Sequence, residues 1–347
     1  MTPAKTQLLS GVLAGTGLLS FVVAECLRRR SSRLGLTDHP NDRSLHVAST
    51  PRAGGAGFAL VVPVAAAFGL SLVGNAAPSE RAILAVALGV AAVGLIDDRW
   101  SLPPWMRLVL QLVAAGAVIR AGVVLQDVPL RVGGTGSPGW ARALISLLWI
   151  AGLTNIYNFM DGIDGIAATQ GLITASAIAL VALGVGRTDV AVVLATLDAG
   201  LIGFLVLNWP PARIFMGDVG STFLGFMFAA WSILPAPPGS RAVPFLAWFV
   251  MLGPFLFDAS VTLARRAFRR EPLFRAHRTH FYQRLVQAGW THRQTTVLYA
   301  GIALWSGALT VFYYGLGASF PVLYVLCALL PVALPMLVVR RRTIRTV

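Results

Sequence analysis

The chain has 347 residues, 56% of them hydrophobic and only 12% charged, with a mean hydropathy of +0.73. A soluble domain carries about twice that charged fraction, so the polar side chains cannot cover a water-facing core. The formal charge of +14 rests on one lysine and 27 arginines, most of them beside apolar blocks, which points to lipid headgroups and excludes a nucleic-acid surface.

Eleven apolar segments follow one another, roughly at 7–26, 54–74, 81–96, 105–125, 141–158, 166–185, 189–208, 219–235, 242–264, 296–315 and 320–339. Their lengths lie near the ~17–25 residues that cross a bilayer as helix. The third and fifth are the weakest by composition, because polar clusters sit at their ends. The first is followed by Arg28, Arg29 and Arg30 rather than preceded by charge, so it reads as a retained span and not a secretory signal. The expected fold is an all-α polytopic membrane protein of about 11 transmembrane helices. Residues 1–347 form one transmembrane catalytic domain without internal repeats. The two cysteines, Cys26 and Cys327, provide neither a disulfide framework nor a zinc cluster.

Basic residues set the orientation. The connections 27–53, 97–104, 159–165, 209–218 and 265–295, with Arg107 just beyond the second and the C-terminal tail, hold 21 of them, and the opposite set holds seven. The positive-inside tendency places the first set and the C-terminus in the cytoplasm and the N-terminus in the periplasm. The stretch 265–295 is expected to include an amphipathic helix or hairpin near the headgroups, and 126–139 a turn-rich loop with one short strand.

The chemistry-bearing residues all fall in the first set. The first loop carries Arg43 and His46, then TPRAGGAG over 50–57 with Arg52, where glycine backbone N–H groups and arginines suit an anion. Asp97 and Asp98 end the third span; as adjacent carboxylates they repel, and an interfacial Asp-Asp-Arg turn is an equally good reading in isolation. NIYNFMDGIDG over 155–165 repeats Asn155, Asn158, Asp161 and Asp164 at spacing three, so Asp161 and Asp164 share a helix face. Four such groups against a membrane are costly unless the site is wet or liganded. NWPPARIFMGDVGS over 208–221 joins Asn208, Arg213 and Asp218; Asp218 also suits a helix cap. His277, Arg278 and His280 form a basic cluster, better matched to phosphate than to zinc. Two carboxylates lie within spans: Asp258, expected to pair with Arg265 or Arg266, and Asp198, for which no partner can be named.

Five carboxylates (Asp97, Asp98, Asp161, Asp164 and Asp218) ringed by arginines would repel a phosphate unless a hard divalent cation joins them. The combination reads as phosphoryl transfer with a membrane-resident participant. A secondary transporter would place its coupling residues near the midplane, where only Asp198 lies. A non-catalytic scaffold would not need the clustered aspartates.

The motifs NxxNxxDGIDG, NxxPAxxFMGDxGS, the Asp-Asp pair and HxxxTPRxGGxG, in this order across about 36–290, resemble the polyprenyl-phosphate N-acetylhexosamine-1-phosphate transferases. The resemblance implies an enzyme of the bacterial inner membrane whose cytoplasmic site uses Mg²⁺ (alternatively Mn²⁺), with undecaprenyl phosphate as acceptor and a UDP-N-acetylhexosamine as donor. A homodimer is compatible with it. By motif, it implies Asp218 as principal metal ligand with Asp98 as a second, and Asp97 as the base that deprotonates the lipid phosphate. It implies Asn158, Asp161 and Asp164 at the nucleotide and diphosphate, Asn208 as a uridine-side or catalytic residue, and His277 and His280 on phosphate or sugar. The family's HxHH cluster reads His280-Phe-Tyr-Gln283 here, which resembles the O-antigen branch acting on unusual N-acetylated sugars. Ala48 and Ser49 stand where lipid I synthases tend to carry a lysine, against a muramoyl-pentapeptide donor.

Overall fold

The computed structural model describes residues 2–38, 49–74, 76–126, 138–272 and 277–345. Arg43, His46 and nearly all of the expected 126–139 loop lie outside them. Helix α1 (Pro3–Leu34) starts under the Thr2 cap and ends at Gly35, whose left-handed φ of 64° turns the chain. A two-residue ladder follows, β1 (Thr37–Asp38) against β2 (Thr50–Pro51), antiparallel. Then come α2 (Ala56–Val73), α3 (Pro78–Trp100), α4 (Pro104–Arg120), α5 (Gly139–Phe159), α6 (Ile166–Gly184), α7 (Thr188–Asn208) and α8 (Gly217–Ser232). The chain finishes with α9 (Phe245–Met251), α10 (Gly253–Phe268), α11 (Phe281–Gln287), α12 (His292–Gly315), α13 (Pro321–Leu329), a 3-10 turn and α14 (Leu334–Arg345).

Every expected apolar segment is helical, but the spans differ in strength from the sequence reading. Eight stretches are long and apolar enough to cross a bilayer among the described residues: α1, α2, α3, α5, α6, α7, α12 and Pro321–Val339. The pair α9 and α10, bent by 68°, makes a ninth if counted as one span. The third and fifth segments qualify. The short ones are α4, with 17 residues, and α8, with 16. α8 needs no lipid-facing length, because it is almost wholly buried at the centre of the bundle. Phe223, Phe226, Phe228 and Trp231 of α8 are among the largest fully buried side chains, and Phe228 packs on Tyr157 of α5.

The outer faces are apolar. Leu18, Val64, Val113, Leu148 and Phe312 are each more than 60% exposed, a distribution that suits lipid and not water. Trp100 and Trp105 mark one end of the bundle and Trp140 the other, as aromatic residues do at the two membrane interfaces.

The loops sort to two ends. The connections after α1, α3, α5, α7 and α10 meet at one end, joined by Arg52–Asp98, Asp98–Asp218, Asp164–Ala212 and Asp164–His292 contacts. At the opposite end buried Arg187 pairs with Asp189 at 2.7 Å and reaches Glu80 at 3.8 Å. The two arginine-rich and arginine-poor loop sets are therefore two ends of one bundle. Among the described residues between α10 and α12, the one helix is the seven-residue α11. It is tucked inward, with Phe281, Tyr282, Gln283 and Leu285 buried, rather than laid on the headgroups.

Candidate active site

At the loop-rich end a cavity of about 330 Å³ is lined by Arg52, Asp98, Asn158, Asp161, Asp164, Asn208, Asp218, Ser221, Gln283 and His292, among others. Its frame is the start of α8. Gly94 of α3 lets the two helices touch backbone to backbone: a Cβ there would lie 2.5 Å from Val219 Cα. The close approach brings the end of α3 beneath the first turn of α8. Asp98 then accepts the backbone N–H groups of Asp218 at 2.9 Å and Val219 at 3.1 Å, one on each carboxylate oxygen. It caps another helix's N-terminus, where unpaired amides and the helix dipole favour an anion. Gly217, at φ 75°, leaves room for it; a Cβ would meet Asp98 Oδ2 at 2.5 Å. Arg52 donates from Nη2 to the Asp98 carbonyl and holds Nε 3.8 Å from its carboxylate. Asp98, expected as a second metal ligand, lines the cavity with both carboxylate oxygens already on backbone amides. With 1% exposure, it aims α8.

Asp218 is what α8 presents. Its Oδ1 accepts the Asn158 amide at 2.5 Å, and the same Nδ2 lies 2.9 Å from Ser221 Oγ. Its Oδ2 lies 3.9 Å from Arg107 Nη1. Asp97 faces Arg107 from the other side, at 3.2 Å, and accepts the Leu102 N–H at 2.7 Å. Asp97 is buried, engaged by a guanidinium and an amide, and is not on the cavity wall.

The break between α5 and α6 supplies the other two carboxylates. Gly165, at φ 73°, starts α6 after a sharp turn that no β-carbon residue adopts easily. Asp164 is held by His292 Nδ1 at 3.0 Å and by the Ala212 N–H at 3.0 Å. Burial pushes its carboxyl up, but His292 and that amide outweigh it and keep the group below the usual range. Asp161 contrasts with it. Among the described residues its carboxylate has no hydrogen bond and no ion pair. Burial, followed by the like charges of Asp218, Asp98 and Asp164, drives its carboxyl well above the usual range.

Asn208 is a clamp. Its Oδ1 accepts the Gly165 N–H at 3.1 Å and its Nδ2 donates to the Ile214 carbonyl at 2.9 Å, tying the two motif loops together. With both ends of its amide bound to backbone, Asn208 positions the two loops while lining the cavity. Arg213 is exposed and off the cavity wall.

The histidine loop departs furthest from expectation. His280 is 2% exposed and faces Asp258, with Nδ1 3.2 Å from Oδ1. Asp258 also accepts the Phe281 and Tyr282 N–H groups at 2.9 and 3.1 Å and the Tyr299 hydroxyl at 2.5 Å. The expected Arg265 and Arg266 pairing fails: Arg265 donates to the Thr279 carbonyl and Arg266 pairs with Glu271. His277 lies 3.0 Å from Thr279 Oγ1, and burial, then His280, Arg266 and Arg265, push it down to about 4. Held there, it carries no charge near pH 7. Neither histidine nor Arg278 lines the cavity. Gln283, from the same loop, does, as does His292 from the first turn of α12; neither was singled out from sequence. The available signal was the T-x-x-Q capping box at Thr291, which marks His292 as a polar residue opening a helix at this end. Asp198, unpaired in the sequence reading, accepts the Ser176 hydroxyl at 2.8 Å.

Among the described residues no three carboxylate, imidazole or thiol groups converge in metal-binding geometry. Of the carboxylates lining the cavity, Asp98 and Asp164 are bonded to backbone amides, while Asp161 and the partly exposed Asp218 face it with fewer bonds of their own.

Comparison with known proteins adds the identity. The family model described as glycosyl transferase family 4 matches residues 81–236, which contain Asp97, Asp98 and both motif loops. The chain is 32% identical to the decaprenyl-phosphate N-acetylglucosaminephosphotransferase of Mycobacterium tuberculosis over 346 residues, covering 90% of this chain and 84% of that one. It is 28% identical over 286 residues to the probable undecaprenyl-phosphate N-acetylglucosaminyl 1-phosphate transferase of Bacillus subtilis, covering 81% and 78%. A phospho-N-acetylmuramoyl-pentapeptide-transferase from Streptococcus gordonii matches at 37% over 204 residues, 54% of this chain and 60% of that enzyme. The aspartate-lined cavity at one end of a multi-pass helical bundle is thus that of a phosphoglycosyltransferase: the chain belongs to the polyprenyl-phosphate N-acetylhexosamine-1-phosphate transferases of glycosyl transferase family 4.

Proposed function

We propose that the protein transfers an N-acetylhexosamine-1-phosphate from a UDP-sugar to undecaprenyl phosphate, giving undecaprenyl-diphospho-sugar and UMP. The reaction would begin O-antigen or a related cell-envelope polysaccharide. The 21-to-7 division of basic residues between the two ends supports a cytoplasmic site in the bacterial inner membrane. The carrying observation is Asp161, whose carboxylate has no hydrogen bond or ion pair among the described residues, lining the same cavity as Asp218. Two such carboxylates fit Mg²⁺, which is usually held by one or two of them plus substrate phosphates. Bound there, the ion would neutralise charge on the donor diphosphate.

The rest is derived from this chain's groups. Asn158 fixes one oxygen of Asp218, so the other is directed by Arg107. Arg52 and Arg107 stand on either side of Asp218 and Asp98 as cations for phosphate oxygens. The acceptor is a phosphate monoester with a second pKa near 6, so near pH 7 it is already mostly a dianion. No strong base is required, consistent with Asp97 being spent on Arg107. An acceptor oxygen attacks the donor β-phosphorus, the bond to the α-phosphate bridging oxygen breaks, and UMP leaves with that oxygen. A covalent aspartyl route is disfavoured because Asp98 is capped on amides and Asp97 is ion-paired.

The test is purified protein with undecaprenyl phosphate, Mg²⁺ and a panel of UDP-N-acetylhexosamines, measuring UMP and the lipid product. UMP release that needs the acceptor, with one sugar preferred, supports the reading. No acceptor-dependent UMP release with any donor defeats it.

A further inference from the structure

The Asp161 carboxylate lines the cavity without a hydrogen bond of its own among the described residues. Its place is therefore set by whatever holds the turn on either side of it. After it the chain is fastened repeatedly. Thr296 Oγ1 donates to the Asp164 carbonyl at 2.8 Å, His292 and the Ala212 N–H hold the Asp164 carboxylate, and Asn208 takes the Gly165 N–H. Before it, α5 ends at Phe159, and the Asp161 N–H closes the last turn on the Asn158 carbonyl at 3.2 Å. Carbonyls at a helix C-terminus lack partners within the helix. The Phe159 carbonyl finds one 123 residues away, accepting the Tyr282 hydroxyl at 3.0 Å.

Tyr282 is fully buried on α11, and its own backbone is pinned. Asp258 accepts its N–H at 3.1 Å, the Phe281 N–H at 2.9 Å and the Tyr299 hydroxyl. The His280 ring stacks on it, 5.8 Å between centroids and 20° between planes. The phenol therefore ends a rigid arm. Its tip rests on Gly162, the residue after Asp161: a Cβ there would lie 2.1 Å from the hydroxyl oxygen. Gly162 is not among the residues with positive φ, so glycine here provides room and not a special backbone angle. We infer that Tyr282 is a positioning residue for Asp161, its hydroxyl and ring edge fixing the turn that aims this carboxylate into the cavity. The hydroxyl has one hydrogen, and giving it to Phe159 leaves both Asp161 oxygens to a divalent cation. The inference rests on the transferase reading above and adds to it what holds the carboxylate that no bond of its own holds.

Y282F removes the hydroxyl and keeps the ring. The Mg²⁺ concentration giving half of the melting-temperature shift, read without substrates, should rise about fivefold, the worth of one organising hydrogen bond. The kcat at subsaturating Mg²⁺ should fall in step, with KM for the UDP-sugar at saturating Mg²⁺ within about twofold of wild type. G162A drives a methyl group into the hydroxyl and should raise the half-point at least about tenfold. In the double variant the nearest ring atom is Cζ at 3.0 Å, so Y282F/G162A should bind Mg²⁺ better than G162A alone. Y324F is the matched control. It loses a buried hydroxyl 2.8 Å from Thr310 Oγ1, between α12 and α13, and should lower the melting temperature while its half-point stays within about twofold of wild type. An unchanged half-point in Y282F overturns the inference whatever its melting temperature does, and so does an equal rise in Y324F. If G162A fails to fold, Y282F against Y324F still decides. A wild type without any Mg²⁺ shift removes the two-carboxylate site and the inference with it. A wild type that binds Mg²⁺ but releases no acceptor-dependent UMP defeats the transferase reading, and the half-points still report on the Tyr282 contact.

Discussion

Replacing Asp98 with Asn separates a positioning carboxylate from a liganding one. The change keeps shape but removes charge and turns one oxygen into an amide NH₂ donor that faces a backbone N–H of α8. Two charge-assisted bonds, at 2.9 and 3.1 Å, become one neutral bond and one donor-donor clash. At ~1.5–3 kcal/mol for each bond to a charged group, against ~0.5–1.5 for a neutral one, the cost is about 2–4 kcal/mol. The weakening of the dipole interaction lies within that range. Asp98→Asn should therefore lower both detergent-solubilised thermal stability and kcat. Asp161→Asn should behave oppositely in stability. Asp161 has no partner to lose and is repelled by Asp218, Asp98 and Asp164, so removing its charge should leave stability unchanged or raised while abolishing turnover. Thermal unfolding followed by intrinsic fluorescence, with UMP release on the same preparations, measures both. An Asp98→Asn protein as stable as wild type, or an Asp161→Asn protein clearly less stable, refutes the division of labour.

Asn208→Ala strands the Gly165 N–H and the Ile214 carbonyl, at ~1–3 kcal/mol for each buried unpaired group; it should lower stability and kcat with little effect on donor KM. Mg²⁺ should raise the melting temperature of wild type without substrates, by the ~2.7 kcal/mol that a hundredfold excess over Kd provides. Asp161→Asn and Asp218→Asn should lose that shift, and a shift retained by both would contradict the two-carboxylate site. His277, held near 4, binds its proton more weakly folded than unfolded, so it costs stability as pH falls from about 6.5 toward 4 and contributes nothing above. His277→Gln should flatten that acid limb and leave the pH–rate profile between 6 and 8 unchanged; a changed profile there would restore a catalytic role.

Much of this was legible in the sequence because membrane helices announce themselves by length, and chemistry by its cost in lipid. All eleven apolar segments became helices, and Asn158, Asp161, Asp164 and Asp218 line one cavity, although Asp161 and Asp164 lie in the break between α5 and α6 and not on the shared helix face their spacing implied. What the sequence hid was which side chains spend their hydrogen bonds on backbone. Asp98 and Asn208 look like ligands in a motif, and only the Gly94–Val219 contact and the folded loops turn them into braces. His280 and Asp258 lie 22 residues apart and meet because α10 runs back to the start of α11. The sequence also did not show that α8, enclosed by other helices, does not have to match the bilayer in length.

The central claim is that a sugar phosphate moves whole, with its anomeric bond intact, past Asp161 and Asp218. The most direct measurement uses a UDP-N-acetylhexosamine carrying ¹⁸O at the bridge between anomeric carbon and β-phosphorus, with mass analysis of both products. The account predicts the label in the lipid diphospho-sugar and unlabelled UMP. Labelled UDP as the released nucleotide, with the sugar attached to lipid through a single phosphate, would contradict it.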